Sequence, residues 1–374
     1  MILADLGAEV VKVEQPEIGD RSRSSGPFID GESTYFMSVN RGKLGFSVDL
    51  SKPKGKDLFL QLVDNSDVIL ENFAPGTMQR LGLDYHVLRD RNPAIIYAAI
   101  SGFGQDGPYS SKPALDVVVQ GMGGILSITG EPGGPPIRPG VSQGDITAGL
   151  FAVIGILSAL QERTRSGLGQ MVDIGMLDCQ VTIQENAFAR YFATGEVPTP
   201  LGTRHPVTAP FQVFQTSDGY ITIALIEGRK ERWPLLCSAI DRIDLIDDPR
   251  FDTGWTRSQN HHELEPILLG GPDEEDLPGM AGGAGGAGDR VRAGQHHRQG
   301  AQDPQVNHRG MIKEYNHSRL GKVRAVNTPV KLSRTPTGND SSSPDLGEHT
   351  DDLLRDLLGM QEQEIASLRE EEVI

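Results

Sequence analysis

The spacing of apolar and polar residues changes period repeatedly along the first third of the chain. Met1-Ile-Leu-Ala-Asp-Leu-Gly7 has the 3.6-residue period of a helix end with a glycine stop, and Val10-Val-Lys-Val-Glu14 then reads as a strand. The pattern next predicts a strand over Gly45–Leu50, a helix over about 54–65, and a strand over Val68–Glu71. Helices over Thr77–Leu81 and Tyr85–Asp90 and a strand over Ile95–Ile100 complete the alternation. Strands that are near-continuous apolar runs, such as Ile95-Ile-Tyr-Ala-Ala-Ile100, suit a parallel sheet covered by helices on both faces. The expected class is therefore α/β, with ligands bound beyond the carboxyl ends of the strands. Nothing before Met1 caps the first helix, which predicts a truncated N-terminus that has lost an upstream strand and half a helix. The alternative is a short helix that begins there.

At ~150 residues per domain, 374 residues suggest two domains or three. Charged residues make up 23% and hydrophobic residues 37% of the chain, the proportions of a globular protein. No window reaches the ~18 uninterrupted apolar residues of a membrane span. A net charge of −16, from 35 basic against 51 acidic residues, sets a field that repels nucleic acid and anionic membranes. Neither is expected as a partner. Two cysteines, Cys179 and Cys237, are too few for a disulfide framework or a zinc cage, so the expected setting is the cytoplasm.

Candidate chemistry gathers at turns. Asp145 precedes an apolar, small-residue-rich helical run, Ile146 to Glu162, so it is expected at the N-cap, where free N–H groups and the helix dipole stabilise a carboxylate. An ionised carboxylate can act as a nucleophile. Asp is equally one of the commonest caps, and spacing alone leaves both readings open. Gly144 and Gly149 would let a bulky ligand approach the backbone. Asn72 and Phe73 follow a strand in a turn with Pro75 and Gly76 and offer an amide and an aromatic face. Gly102-Phe-Gly-Gln-Asp-Gly107 lacks the lysine and following helix of a phosphate loop. The pairs His261-His262 and His296-His297 lack i, i+4 spacing, so no metal site is expected.

The runs Ala4-Asp-Leu-Gly-Ala-Glu-Val-Val-Lys-Val-Glu14, Asn40-Arg-Gly-Lys43, Glu71-Asn-Phe-Ala-Pro-Gly76, Ser101-Gly-Phe-Gly-Gln-Asp-Gly-Pro108 and Gly144-Asp-Ile-Thr-Ala-Gly149 resemble the class III CoA-transferase family, which includes the formyl-CoA and carnitine CoA-transferases and the α-methylacyl-CoA racemases. The likeness continues through Gly167-Leu-Gly-Gln-Met-Val-Asp173, His205-Pro206 and Asp303-Pro-Gln-Val-Asn-His308 to Leu346-Gly-Glu-His-Thr350. It implies a Rossmann-like large domain and a smaller α+β domain in an intertwined, interlocked homodimer. On that reading residues 1–195 form the first part of the large, CoA-binding domain, 196–304 the small domain, and 305–374 a C-terminal return to the large one.

The resemblance also implies roles. Asp145 matches the family's nucleophile, which trades one thioester for another through an aspartyl anhydride and an aspartyl-CoA thioester, with no ATP, metal or permanently bound cofactor. Coenzyme A enters as the acyl-CoA substrate, and a carboxylic acid is the second substrate. Val48, Asp49 and Leu50 match a segment whose backbone borders the adenine, with Ser51 standing where some members place a lysine. Asn72 and Phe73 match the adenine contact, Arg80 a phosphate contact, and Lys112 a second phosphate candidate. A solvated cation is the bland reading of each basic residue.

The racemase branch needs a histidine before an aspartate in the stretch Ala114-Leu115-Asp116-Val117, and Leu115 cannot accept a proton. Transfer is favoured, with racemase-type isomerisation or an inactive family member as the alternatives. Asp116 is expected to order the site or cap the following helix.

The pattern breaks in two places. Residues 270–300 carry glycines in abundance and few large apolar residues, which predicts a frameshifted or disordered stretch, the alternative being a genuine glycine-rich linker. After the strand Tyr220–Leu225, Ile226-Glu-Gly-Arg-Lys230 replaces the glycine-rich loop that family transferases often carry, and Arg229 or Lys230 could bind an acceptor carboxylate.

Overall fold

The computed structural model describes residues 1–216, 219–226, 232–269, 291–293 and 295–374. The chain forms two compact units, one of residues 1–123, 141–184 and 301–374, the other of 124–140 and 185–300.

In the first unit, β1 (Val11–Glu14) pairs in parallel with β2 (Leu44–Ser47). A second parallel sheet has the order β3 (Val68–Glu71), β4 (Ile96–Ser101), β5 (Met171–Gly175). Helix α1 (Pro53–Asp64) begins with Pro at its first turn, a position that needs no N–H donor, and buries Gly55, Leu58, Phe59, Leu62 and Val63 at helical spacing. Its buried face serves two cores. Leu58 and Leu62 pack with Phe46, Val48, Leu353, Leu354, Ile365 and Leu368, while Phe59 and Val63 pack with Met78, Leu83, Leu88, Ile95 and Tyr97. Leu50, Ile69 and Met78 also meet in the second core, so segment 48–50 lies beside β3 and the helix α2 (Thr77–Leu81) that follows it.

Three more helices complete the part of this unit that matters for chemistry: α3 (Asp116–Gly123), α4 (Gln143–Ser166) and α5 (Met176–Thr182). By length and composition α4 could cross a bilayer. It instead turns a face of Gly144, Ala148, Ala152, Ile156 and Ala159 into the unit, packed on α3, α5, β4 and β5. Small residues at this spacing let the backbones approach closely. The other face leaves Ile146, Leu150, Ile154 and Leu157 exposed.

The second unit holds the antiparallel strands β6 (Phe211–Thr216), β7 (Gly219–Ala224) and β8 (Val291–Ala293), with β7 central. Its core contains Phe214, Ile221, Ile223, Trp233, Leu236, Cys237, Leu245, Phe251, Leu264 and Leu268. Arg257 is buried there with its guanidinium 4.6 Å from the Trp233 ring and N–H bonds to the carbonyls of Ala209 at 2.6 Å and Phe251 at 2.7 Å, so the charge is stacked and hydrogen-bonded. Of the stretch 270–300, residues 270–290 and 294 lie outside the described residues, as do Arg229 and Lys230. Residues 291–293 pair with β7, and His297–Gln302 is helical.

Candidate active site

Just past β2, Val48 is 1% exposed and donates its N–H to the Glu14 carbonyl at 2.9 Å, while Leu50 turns into the core. Only backbone and the Asp49 side chain of this segment are left to meet a ligand. The Asp49 N–H bonds the Val373 carbonyl at 2.8 Å, and Lys52 Nζ donates to the carbonyls of Glu371 at 2.7 Å and Glu372 at 2.9 Å. Residues 371–373 thus brace the segment from behind. Hydrogen bonds from the Ser51 hydroxyl and N–H hold the Asp49 carboxyl below its ordinary range. From the other side α1 presses close: a Cβ on Gly55 would stand 2.0 Å from the Asp49 carbonyl oxygen.

Past β3 stand Asn72 and Phe73, both exposed. Glu71, the last residue of the strand, accepts the Phe73 N–H at 2.7 Å and the Tyr97 hydroxyl at 3.2 Å, fixing the turn. Burial pushes the Glu71 carboxyl up, the two hydrogen bonds oppose that, and Asp173 on β5 adds repulsion. Arg80 is exposed with Nη2 on the Thr77 hydroxyl at 2.8 Å, and exposed Lys112 places Nζ 4.2 Å from the centre of the Tyr109 ring. The polar Glu71 at the end of an apolar strand was the available signal for this support.

Past β4, Gly102 is pressed against Ala114: a Cβ there would stand 2.1 Å from the Ala114 Cβ. That contact fixes segment 112–116 at the strand end. The glycine serves packing, in keeping with the absence of a phosphate-loop pattern. Asp116 then accepts the N–H of Gly144 at 2.8 Å through Oδ1 and the amide of Gln120 at 2.7 Å through Oδ2.

This bond corrects the position expected for Asp145. Helix α4 begins at Gln143 after the N-cap Ser142, whose side chain makes no capping bond, so Asp145 is the third helical residue rather than the cap. The reason is physical: Asp116, from another helix, takes the orphan N–H of Gly144 and lets helical geometry start earlier. Asp145 remains exposed in the first turn, where the dipole favours a carboxylate. The expected ligand clearance at Gly144 is also corrected. A Cβ there would stand 2.8 Å from Val119 Cγ2 and 3.0 Å from Asp116 Oδ1, so this glycine admits α3; only at Gly149 would a Cβ meet open space.

Behind the same turn, Gln180 of α5 is fully buried and donates to the Thr147 hydroxyl at 2.9 Å and the Gln143 carbonyl at 3.4 Å. Gln184 donates to the carbonyls of Gly123 at 2.6 Å and Gln180 at 2.7 Å. These glutamines went unnoticed in the sequence, although Gln120 interrupts the apolar run Val117-Val-Val119 and Gln180 and Gln184 are four apart.

Two other motifs resolve into scaffolding. In Asn40-Arg-Gly-Lys43, Arg41 is buried on Asp5 with side-chain exposures of 3% and 1%, and Lys43, its Nζ on Asn40 Oδ1 at 2.7 Å, is lowered to about 8 by burial and by repulsion from Lys12. Glu32, His317 and Asp345 cluster closely enough to suggest a metal. However, Arg319 bridges Glu32 and Asp345, and His317 Nδ1 accepts the backbone N–H of Arg319 at 3.2 Å, which leaves the proton on Nε2. The cluster is held by this ion-pair lock.

The structure thus joins the ends of β3 and β4, Asp116 and the turn bearing Asp145, and through a shared core sets segment 48–50 near α2. The family model for CoA-transferase family III matches residues 1–350. The chain belongs to this family. The mouse (Mus musculus) succinyl-CoA:glutarate CoA-transferase is 36% identical over 369 residues, spanning 98% of this chain and 84% of that protein. The acetyl-CoA:oxalate CoA-transferase of Acetobacter aceti is 42% identical over 268 residues, 71% of this chain and 68% of that protein. Among solved structures, a CAIB/BAIF family protein from Brucella suis superposes with a TM-score of 0.82 at 36% identity, over 95% of this chain and 93% of that one. As a class III family member the chain has the mixed α/β architecture of these relatives, and its kin are named as CoA-transferases.

Proposed function

We propose that this protein moves CoA from an acyl-CoA donor to a carboxylic acid acceptor, with Asp145 as the nucleophile. An Asp145 carboxylate oxygen attacks the thioester carbonyl, the C–S bond breaks, and a mixed anhydride and CoA thiolate result. The thiolate attacks the aspartyl carbonyl of the anhydride and expels the first acid as its carboxylate. The acceptor carboxylate attacks the aspartyl-CoA thioester, regenerates an anhydride and frees the thiolate, which then takes the acceptor's acyl group and restores Asp145. Charge and bonds balance at each step without an added cofactor. The names of the relatives, which pair succinyl-CoA with glutarate and acetyl-CoA with oxalate, support dicarboxylic acids as the acceptor class.

The observation that carries the reading is the residue beside the site. Asp116 binds Gly144, the neighbour of Asp145, while Leu115, the neighbour of Asp116, is 71% exposed. A racemase needs a proton acceptor there, and leucine offers none. For CoA we assign the backbone of Val48–Leu50 and the side chains of Asn72, Phe73, Arg80 and Lys112. An intertwined homodimer is supported by the exposed Ile146, Leu150, Ile154 and Leu157, which line one face of α4. A cytoplasmic setting is proposed as well, in keeping with the free thiols of Cys179 and Cys237.

The test is Asp145→Ala: transfer is expected to vanish while acyl-CoA binding persists, and hydroxylamine should trap residue 145 in the unmutated enzyme. Undiminished turnover, or deuterium washing into the acyl α-carbon without an acceptor acid, would overturn the assignment.

A further inference from the structure

We infer that Asp116 is a positioning residue for the reaction, a cap supplied by α3 that fixes the first turn of α4 and with it the direction of the Asp145 carboxylate; this deepens the reading of Asp145 as nucleophile and rests on it. The observation is an inversion of the usual arrangement. A helix is ordinarily capped by the residue just before it, and here the Ser142 side chain makes no capping bond while the acceptor comes from 28 residues upstream. A local cap moves with its own turn. A remote one ties the turn to the segment that Gly102 holds at the end of β4.

The clamp has a second jaw. Gln180 of α5 holds the Gln143 carbonyl and the Thr147 hydroxyl, and the turn between those contacts contains Asp145. Gln120, which holds the far oxygen of Asp116, is also fully buried. The Oε1 atoms of Gln120 and Gln180 find no hydrogen-bond partner among the described residues. A buried amide with an unpaired acceptor is a poor choice for stability, and leucine or methionine would fill the same space without that penalty. What these amides supply is direction: one N–H orients Asp116 and another pins the turn. Gly144 completes the argument, because any side chain there would push α3 off the turn.

The experiment compares Asp116→Ala with Asp116→Asn, and follows backbone amide exchange at Gly144 beside steady-state kinetics. The alanine variant is expected to expose the Gly144 N–H to faster exchange and to lower kcat roughly 10- to 100-fold, the loss typical of a misdirected reacting group, with KM for acyl-CoA within about twofold of the unmutated value. Asparagine keeps an oxygen for Gly144 and can meet the flipped Gln120 amide, so it should recover kcat to within about threefold. A purely structural role would lower stability and active fraction in both variants alike, without a rescue in kcat per active site titrated by hydroxylamine. Hydroxylamine capture at residue 145 in the unmutated enzyme together with an undiminished Asp116→Ala, or an asparagine variant as slow as the alanine one, would remove the role of Asp116 alone. Absence of capture at residue 145 would remove the nucleophile reading, and this role with it.

Discussion

Gly55→Ala separates two effects of opposite sign. Gly55 lies in the first turn of α1, and by helix propensity alone alanine should stabilise the protein by about 1 kcal/mol. The local geometry says otherwise. The added methyl would stand 2.0 Å from the Asp49 carbonyl oxygen, 2.8 Å from its carbon and 3.2 Å from Val48 Cγ2. The first two atoms are backbone, held by the Asp49 bond to Val373, so no flexible side chain can swing aside. Overpacking of this kind costs about 1–3 kcal/mol, and a rigid backbone contact belongs at the upper end. The net expectation is a loss of about 2 kcal/mol, read as a lower urea midpoint at unchanged slope. Because the displaced backbone is the segment assigned to the adenine, KM for acyl-CoA should rise several-fold while kcat holds. A variant more stable than the parent, with unchanged KM, would refute both the close packing and the assignment of segment 48–50.

Two further outcomes follow from the first unit. At Asp20 burial pushes the carboxyl up, but hydrogen bonds from Lys12 and Ser22 outweigh it and set the group at about 2, below the 3.8 of the unfolded chain. Its stabilisation is therefore complete above pH ~4 and lost as pH falls toward 2; the shift bounds it near 2 kcal/mol, and about one-third exposure of the side chain reduces that to about 1. The stability gap between the parent and Asp20→Asn should narrow by about that amount between pH 6 and 2.5, and a pH-independent gap would contradict it. If the proposed homodimer forms through α4, Ile154→Asp should sediment as a monomer while leaving the far-ultraviolet circular dichroism intact, whereas an unchanged sedimentation coefficient would show that this face of α4 is not the contact.

The periodic elements were legible in the sequence. Thr77–Leu81 and Val68–Glu71 occur as expected, and the helix expected over about 54–65 spans Pro53–Asp64. These rest on contacts along one element, where the order of residues dictates geometry. The start of α4 was not legible, because the cap belongs to Asp116 and no local rule joins residues 116 and 144. Gly144 was misread for the same reason: a missing side chain signals close approach, but the sequence cannot say whether a ligand or a neighbouring helix approaches. The role of Arg319 between Glu32 and Asp345 was hidden because Glu32 lies far from both along the chain.

The brace behind segment 48–52 has a consequence for how the enzyme comes into being. Lys52 and Glu371, which it joins, are 319 residues apart, so on a ribosome adding roughly 5–20 residues per second they are made roughly 16–64 s apart. During that interval β1, β2 and α1 can collapse, but the loop from Asp49 to Lys52 lacks the carbonyls that hold it. The nascent chain therefore carries Asp145, the proposed nucleophile, long before the segment proposed to hold the nucleotide is braced. Synthesis through Val373 acts as a timer, and on the proposed reading acyl-CoA meets a braced segment 48–50 only on a chain extended that far.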